Sequence, residues 1–300
     1  MIAVGFTVNS LGQSQRSPLS VAACDRNSAS VFVDTAVWGL DSKTYIKDLT
    51  FDKFRLTSEK ETHEIQCFSK ADEPLTVGFV VDFSSSIKGN ELAQFLESIR
   101  IYIDSSNAQN TYFAIGFNDE PFGMLERTSD RMKIEKFLTD AVTRKPKGKS
   151  SLRDAIEMAA NKMLPDDANR RALIIFSDGE ENNSRSGDVS PVIKKLRLAR
   201  IRSFVANIID PKDSYSYERI TNESTLGRIA AETAGGAAFG TKETGLAKYF
   251  EALAKMMRNE YGLGFNPVKA ENKWNPITYA VKVPKDFERI TTTGVQRSFY

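Results

Sequence analysis

The spacing of hydrophobic positions changes along the chain, and the changes divide it into zones. Residues 1–27 are rich in Ser, Gln and Asn and carry no period, which predicts a disordered leader. Over residues 28–71 the period is two. Val31, Val33, Thr35 and Val37 alternate with their neighbours, and residues 53–57 and 62–66 do the same, as half-buried antiparallel strands do. His63 falls in the last of these runs and reads as a surface strand residue. From residue 75 to about 258 the pattern becomes short apolar runs, at 75–81, 112–117, 172–176, 203–209 and 237–240, separated by stretches of helical spacing. Leu92, Phe95, Leu96 and Ile99 form one helical stripe behind a candidate N-cap at Asn90. Leu246, Tyr249, Phe250, Leu253, Met256 and Met257 form another. Both stripes read as core. Residues 277–283 return to strand-like text after the turn signal Trp274-Asn275-Pro276.

Buried strands alternating with amphipathic helices predict an α/β fold over residues 72–261, a doubly wound, mostly parallel sheet covered by helices on both faces. The flanks, 28–71 and 262–300, predict a small β element in which the C-terminal segment packs with the N-terminal one. No repeat or low-complexity tract interrupts this plan.

Composition bounds the partners more than the fold. The 300 residues carry 41 Lys and Arg against 39 Asp and Glu, a net charge of +2, so no overall field favours nucleic acid or an anionic membrane. The apolar runs fall far short of the roughly 20 residues that a membrane-spanning helix needs. Residues 1–6 are apolar but lack a basic n-region and the apolar core of roughly 7–15 residues found in secretory signals, so they read as a truncated signal or as part of the leader. Cys24 and Cys67 are the only cysteines, without Cys-x-x-Cys spacing, and read as two unpaired thiols or a single staple.

Candidate chemistry collects where two buried strands end. Residues 75–81 run into Asp82-Phe83-Ser84-Ser85-Ser86, and residues 172–176 run into Ser177-Asp178-Gly179-Glu180. Both aspartates thus fall at the carboxyl edge of a parallel sheet, where ligand sites of open α/β folds form. A third source of oxygen, Ser150-Ser151, starts the amphipathic stretch containing Leu152, Ile156, Ala159 and Met163.

These three segments, Asp-x-Ser-x-Ser, a hydroxyl loop before Leu-x-Asp-Ala, and Ser-Asp-Gly, resemble the metal-ion-dependent adhesion site of von Willebrand factor A-type (VWA) domains. The resemblance covers about residues 75–258 and implies a VWA, Rossmann-like fold. It implies metal ligands at Asp82, Ser84, Ser86, Ser150 and Asp178, with Ser151 as the substitute if the loop is shifted by one. Residues 226–236, ending Ala234-Gly235-Gly236, resemble the Thr-Gly-Gly stretch before the family's last strand. Two positions depart from the family: Ser85 stands where Gly is usual and Ser150 where Thr is usual. Ser85 is expected to stiffen the turn. Ser150 keeps the hydroxyl but lacks the methyl that fixes its rotamer. The flanks, residues 46–54 and 261–265, resemble bacterial VWA-related proteins abundant in Acidobacteria. Members are usually exported, which implies an extracytoplasmic location, periplasmic or secreted.

Hydroxyl, carboxylate and water oxygens are hard ligands suited to Mg2+ first, and to Mn2+ or Ca2+. In the family the serines and threonine coordinate directly while the aspartates act largely through water. The implied function is a divalent-metal-dependent adhesion module, completed by an Asp or Glu of a partner protein. Its rivals are a metal-independent structural or assembly protein and a metal-assisted hydrolase with Glu180 as base. Other enzyme readings lack parts. Gly148-Lys149-Ser150-Ser151 mimics the end of a P-loop, but Thr143 stands where the first Gly belongs and residues 131–142 read as helix instead of strand. His63 is the sole histidine and lies far in sequence from Ser84, which leaves a Ser-His-Asp mechanism unsupported. No catalytic residue is therefore expected. Lys147 and Lys149, in the basic run 144–149, are candidates to attract an acidic partner, with Glu180 opposing them. Phe83, Phe117 and Phe122 are candidates for an apolar rim or for core.

Overall fold

The computed structural model describes residues 22–24, 31–39, 44–58, 61–164, 170–185, 187–207, 217–239, 243–266, 279–282 and 287–293. Most of the expected leader and the turn at 274–276 lie outside the described residues. Strands β1 (Val31–Gly39), β2 (Arg55–Ser58), β3 (Glu61–His63) and β4 (Cys67–Ser69) come first. They are followed by β5 (Thr76–Asp82), α1 (Gly89–Ser105), β6 (Thr111–Phe117), β7 (Pro121–Thr128), α2 (Arg131–Val142), α3 (Leu152–Met163), β8 (Arg171–Phe176), α4 (Ser190–Leu198), β9 (Ile201–Asn207), α5 (Tyr217–Glu232), β10 (Gly236–Phe239) and α6 (Glu243–Arg258). Strands β11 (Glu260–Phe265), β12 (Tyr279–Lys282) and β13 (Phe287–Thr293) close the order.

The central sheet has six strands in the order β10-β9-β8-β5-β6-β7, parallel throughout except for β7. Every residue of β5, β8 and β9 is buried. Helices cover both faces, so these strands have no solvent side, which is why their text is apolar without alternation. One face packs Leu92, Phe95 and Ile99 of α1 with Ile134 of α2 and Phe250 of α6. The other packs Leu152 and Ile156 of α3, Ile193 of α4 and Ile229 of α5. The predicted stripes at 92–99 and 246–257 are thus core. The chain runs outward from β5 through β6 and β7, then returns to β8 on the opposite side of β5. The topological switch point therefore lies between the carboxyl ends of β5 and β8, and Val81 pairs with Phe176 there.

The flanking strands form a four-stranded antiparallel sheet, β13-β1-β11-β4, and a three-stranded one, β12-β2-β3. Val33, Leu56, Tyr261, Leu263 and Phe265 share their core. Cys24 and Cys67 are joined by a disulfide, and Ala22 bridges to Cys67 alongside it. A buried ionic cluster joins this sheet to the central one. Arg202 of β9 grips Glu260 of β11 through Nη1 and Nη2, at 2.7 and 3.1 Å, and reaches Asp34 of β1 at 3.1 Å. Arg170 adds a 2.7 Å contact to Glu260.

Several expectations need correction. His63 is 6% exposed, not a surface residue. It pairs with Leu56, so both face the same core, and its ring lies 4.8 Å from that of Phe265. Helix α1 starts ahead of Asn90, with Lys88 at the N-cap position, where its backbone N–H donates to the Glu91 carboxylate at 2.7 Å. The run expected at 62–66 breaks after His63, and pairing resumes at Cys67. Periodicity does not mark strand β7 or helix α4. In β7 only Leu125 is buried, and α4 opens on Ser-Pro with only three buried residues.

Candidate metal centre

Asp82 is the last residue of β5 and is wholly buried. Both of its carboxylate oxygens accept hydrogen bonds: Oδ1 from the Ser84 backbone N–H at 2.8 Å, and Oδ2 from the Ser177 hydroxyl at 2.7 Å. Ser177 accepts in turn from the Gly179 N–H at 3.0 Å. The pairing of Val81 with Phe176 makes the second bond possible by setting Asp82 beside Ser177. Burial, and then the charge of Asp178, pushes the Asp82 carboxyl up to about 7. Held in a dry pocket near a second acid, this group is short of positive charge.

Ser84 and Ser86 bring their hydroxyl oxygens within 2.9 Å of each other, one buried and the other exposed. Without a cation that separation is a hydrogen bond. It is also the spacing of adjacent corners in an octahedron with bonds of roughly 2.0–2.1 Å, about 2.9 Å, so both oxygens could serve one Mg2+ with little rearrangement.

The second loop is stitched to the first and third. Ser85 donates twice to the Gly148 carbonyl, from its N–H at 3.0 Å and its hydroxyl at 2.9 Å, and the Lys147 N–H donates to the Phe83 carbonyl at 2.8 Å. The stiffening expected of Ser85 therefore acts between loops. Gly148 has φ +84°, and a Cβ there would lie 2.5 Å from an Asp119 carboxylate oxygen, so the position admits only glycine without strain. Ser150 is wholly buried. Its hydroxyl donates to the Glu180 carbonyl at 2.7 Å, and its N–H donates to the Asn182 side chain at 2.8 Å. A hydroxyl that donates once keeps lone pairs for a cation. Ser151 instead turns to the loop after β6, with N–H and hydroxyl both on the Asn118 carbonyl at 3.0 and 2.8 Å, in the N-cap position of α3.

Asp178 is half-buried, and one of its carboxylate oxygens accepts the Glu180 N–H at 2.9 Å. The loop beyond it is shaped by Glu181, whose carboxylate accepts from the Arg153 N–H and from the Ser184 N–H and hydroxyl, at 2.7, 2.9 and 2.7 Å. Glu181 is therefore a structural residue of the loop. The Glu180 side chain takes the Asn182 amide at 3.1 Å. Lys147 and Lys149 are exposed. Phe83 and Phe117 are core, while Phe122 is half-buried with the Arg144 guanidinium 5.0 Å from its ring centre.

All five expected ligands thus stand at one sheet edge, Asp82 at the end of β5 and the other four on loops, and three of the five are buried. Among the described residues no three His, Cys, Asp or Glu side chains converge as metal ligands, so a cation here would draw on hydroxyls for much of its protein shell. That donor set fits a hard ion and leaves its charge incompletely neutralised. Ser177, Asn118 and Asn182 escape sequence reading because their roles arise from contacts between distant segments. Only Ser177 carried a signal, its place next to Asp178.

The family model of the von Willebrand factor type A domain matches residues 76–251. No curated protein matches the sequence. Among solved structures, a von Willebrand factor type A protein from Catenulispora acidiphila aligns with 78% of this chain and 52% of its own, at 14% identity and a TM-score of 0.53. An aerotolerance-related membrane protein from Bacteroides fragilis aligns over 61% of this chain and 98% of its own, at 20% identity and a TM-score of 0.48. The pilus adhesin SpaC from Lactobacillus rhamnosus GG aligns over 63% and 31%, at 12% identity and a TM-score of 0.48. With the α/β architecture and a match over more than half its length, the chain belongs to the von Willebrand factor type A domain family.

Proposed function

We propose that this protein is a divalent-metal-dependent binding module, with Mg2+ the preferred ion and Mn2+ or Ca2+ as substitutes, held by Asp82, Ser84, Ser86, Ser150 and Asp178. The observation that carries the reading is the buried Asp82 carboxylate, fixed at both oxygens beside a converging hydroxyl pair and a second acid. A bound cation would supply an electrophilic position that a partner's Asp or Glu completes. The chain's own part is to hold the oxygens in place before the partner arrives, which lowers the cost of ordering them. Ser86, exposed at the rim, lies where the partner approaches, and Lys147 and Lys149 favour an acidic segment. No general base is assigned, and the proposed activity is binding, not catalysis.

The test compares thermal melts of the wild type and Asp82→Ala, each in Mg2+ and in chelator. A cation that binds only the native state raises the wild-type melting temperature and leaves the variant unmoved. Identical melts for the wild type in the two media would sink the proposal. Equal capture of a partner in chelator and in Mg2+ would favour a metal-independent assembly role instead.

We also propose an extracytoplasmic location, supported by the Cys24–Cys67 disulfide, since such bonds persist in oxidising compartments. Among the described residues, no helix is long and apolar enough to cross a membrane. Alkylation of protein taken directly from cells, followed by mass measurement, checks the bond: two freely reactive thiols would contradict the assignment.

A further inference from the structure

Asn207 is the last residue of β9, and its side chain is wholly buried beside the candidate site. Its Nδ2 donates to the Asp178 carbonyl at 3.1 Å. A carbonyl can only accept, so this bond fixes which end of the amide is which. The other end, Oδ1, is buried and has no hydrogen-bond partner among the described residues. A buried acceptor without a donor costs free energy, and native proteins retain few of them. Packing alone does not call for an amide here. The preceding residues Phe204, Val205 and Ala206 are all buried in the sheet, and an apolar side chain would continue that run without an orphaned oxygen.

We propose that Asn207 is a positioning residue of the cation site, its Nδ2 holding the Asp178 main chain and its Oδ1 accepting a hydrogen from an ordered water carried in with the cation. The inference rests on the reading of this edge as a cation site. It gives the orphaned oxygen a partner in the loaded protein, where a buried water needs polar groups to hold it. It also explains how Asp178, on a loop, is kept in register: β9 supplies a rigid anchor behind it. Groups that orient metal ligands from behind typically contribute tenfold to a hundredfold in affinity.

The experiment measures Mn2+ affinity by calorimetry, and the melting temperature in chelator, for the full chain and for Asn207→Leu, Asn207→Ala and Asp82→Asn. Asn207→Leu is expected to bind Mn2+ at least about tenfold more weakly, while its melt in chelator changes little, because the orphaned acceptor goes together with the bond to the Asp178 carbonyl. Asn207→Ala should weaken Mn2+ binding in the same direction, which keeps the test alive if leucine does not fit. Wild-type affinity in either folded variant overturns the proposal, and so does a failure of both variants to fold, which would assign Asn207 a purely structural role. A wild type that binds Mn2+ no better than Asp82→Asn overturns the cation site itself, and this inference with it.

Discussion

A carboxylate shut away from water favours its protonated form, and Asp82 is in that position with a second acid nearby. The sign of the pH effect follows. Asp82 ionises near the ordinary aspartate value of 3.8 in the unfolded chain and at about 7 in the folded apo-protein, so the folded state holds its proton longer. The contribution of Asp82 to stability in chelator is therefore fully present below about pH 4, is lost as pH rises towards about 7, and is flat beyond. Asp82→Asn removes this cost: melts in chelator at pH 8 should rise relative to the wild type, by up to about 4 kcal/mol, while the shift given by Mg2+ disappears. A variant less stable than the wild type in chelator would mean that the hydrogen bonds from Ser84 and Ser177 outweigh the desolvation of the charge. At this scale the sequence was informative about Asp82, Ser84 and Ser86, because their spacing is local. Ser177 and Asn207 act on residues far away in the chain; the place of Ser177 next to Asp178 is a signal, while nothing in the neighbourhood of Asn207 announces its role.

The loops work as elements because backbone and side chain lock them together. Ser150 and Ser151 are adjacent hydroxyls with different duties, one turned to the third loop and one to the loop after β6. Ser150→Ala should abolish the Mg2+-dependent rise in melting temperature. Ser151→Ala should keep that rise and lose about 1 kcal/mol of stability, the usual worth of a single hydrogen bond, here the one to the Asn118 carbonyl. The reverse pattern would shift the ligand assignment by one residue. Ser85→Gly, which restores the family's usual residue, removes the hydroxyl bond to Gly148 and frees the turn. We expect it to cost about 0.5–1.5 kcal/mol in chelator and to weaken Mg2+ binding, because the second loop is then held less firmly. Calorimetry that finds tighter Mg2+ binding in the variant would show that the clamp works against the ion.

At the scale of the whole molecule, the central sheet and the flanking sheet meet over charge. Arg202 and Glu260 have side chains only 5% and 1% exposed. Removing Glu260 leaves Arg202 and Arg170 in a dry interior with Asp34 as their shared carboxylate, so Glu260→Ala should destabilise the protein by about 3–5 kcal/mol in a denaturant titration. A change below about 1 kcal/mol would indicate that water enters the junction. The residue text alone was enough for the α/β class, the parallel strands and the two core stripes, because burial on one face or two leaves its period in the chain. It was also enough to bring Asp82 and Asp178 to the same edge, since strand ends follow from strand positions. It could not reveal β7 or α4, where few residues are buried and the pattern is faint. It placed His63 on the surface because alternation does not say which face is covered. The Cys24–Cys67 bond, the Arg202–Glu260–Asp34 cluster and the bond from Asn207 to Asp178 were decided by the tertiary structure. Each joins segments whose separation in the chain carries no information about their distance in space, and only the completed packing brings the donors to their acceptors.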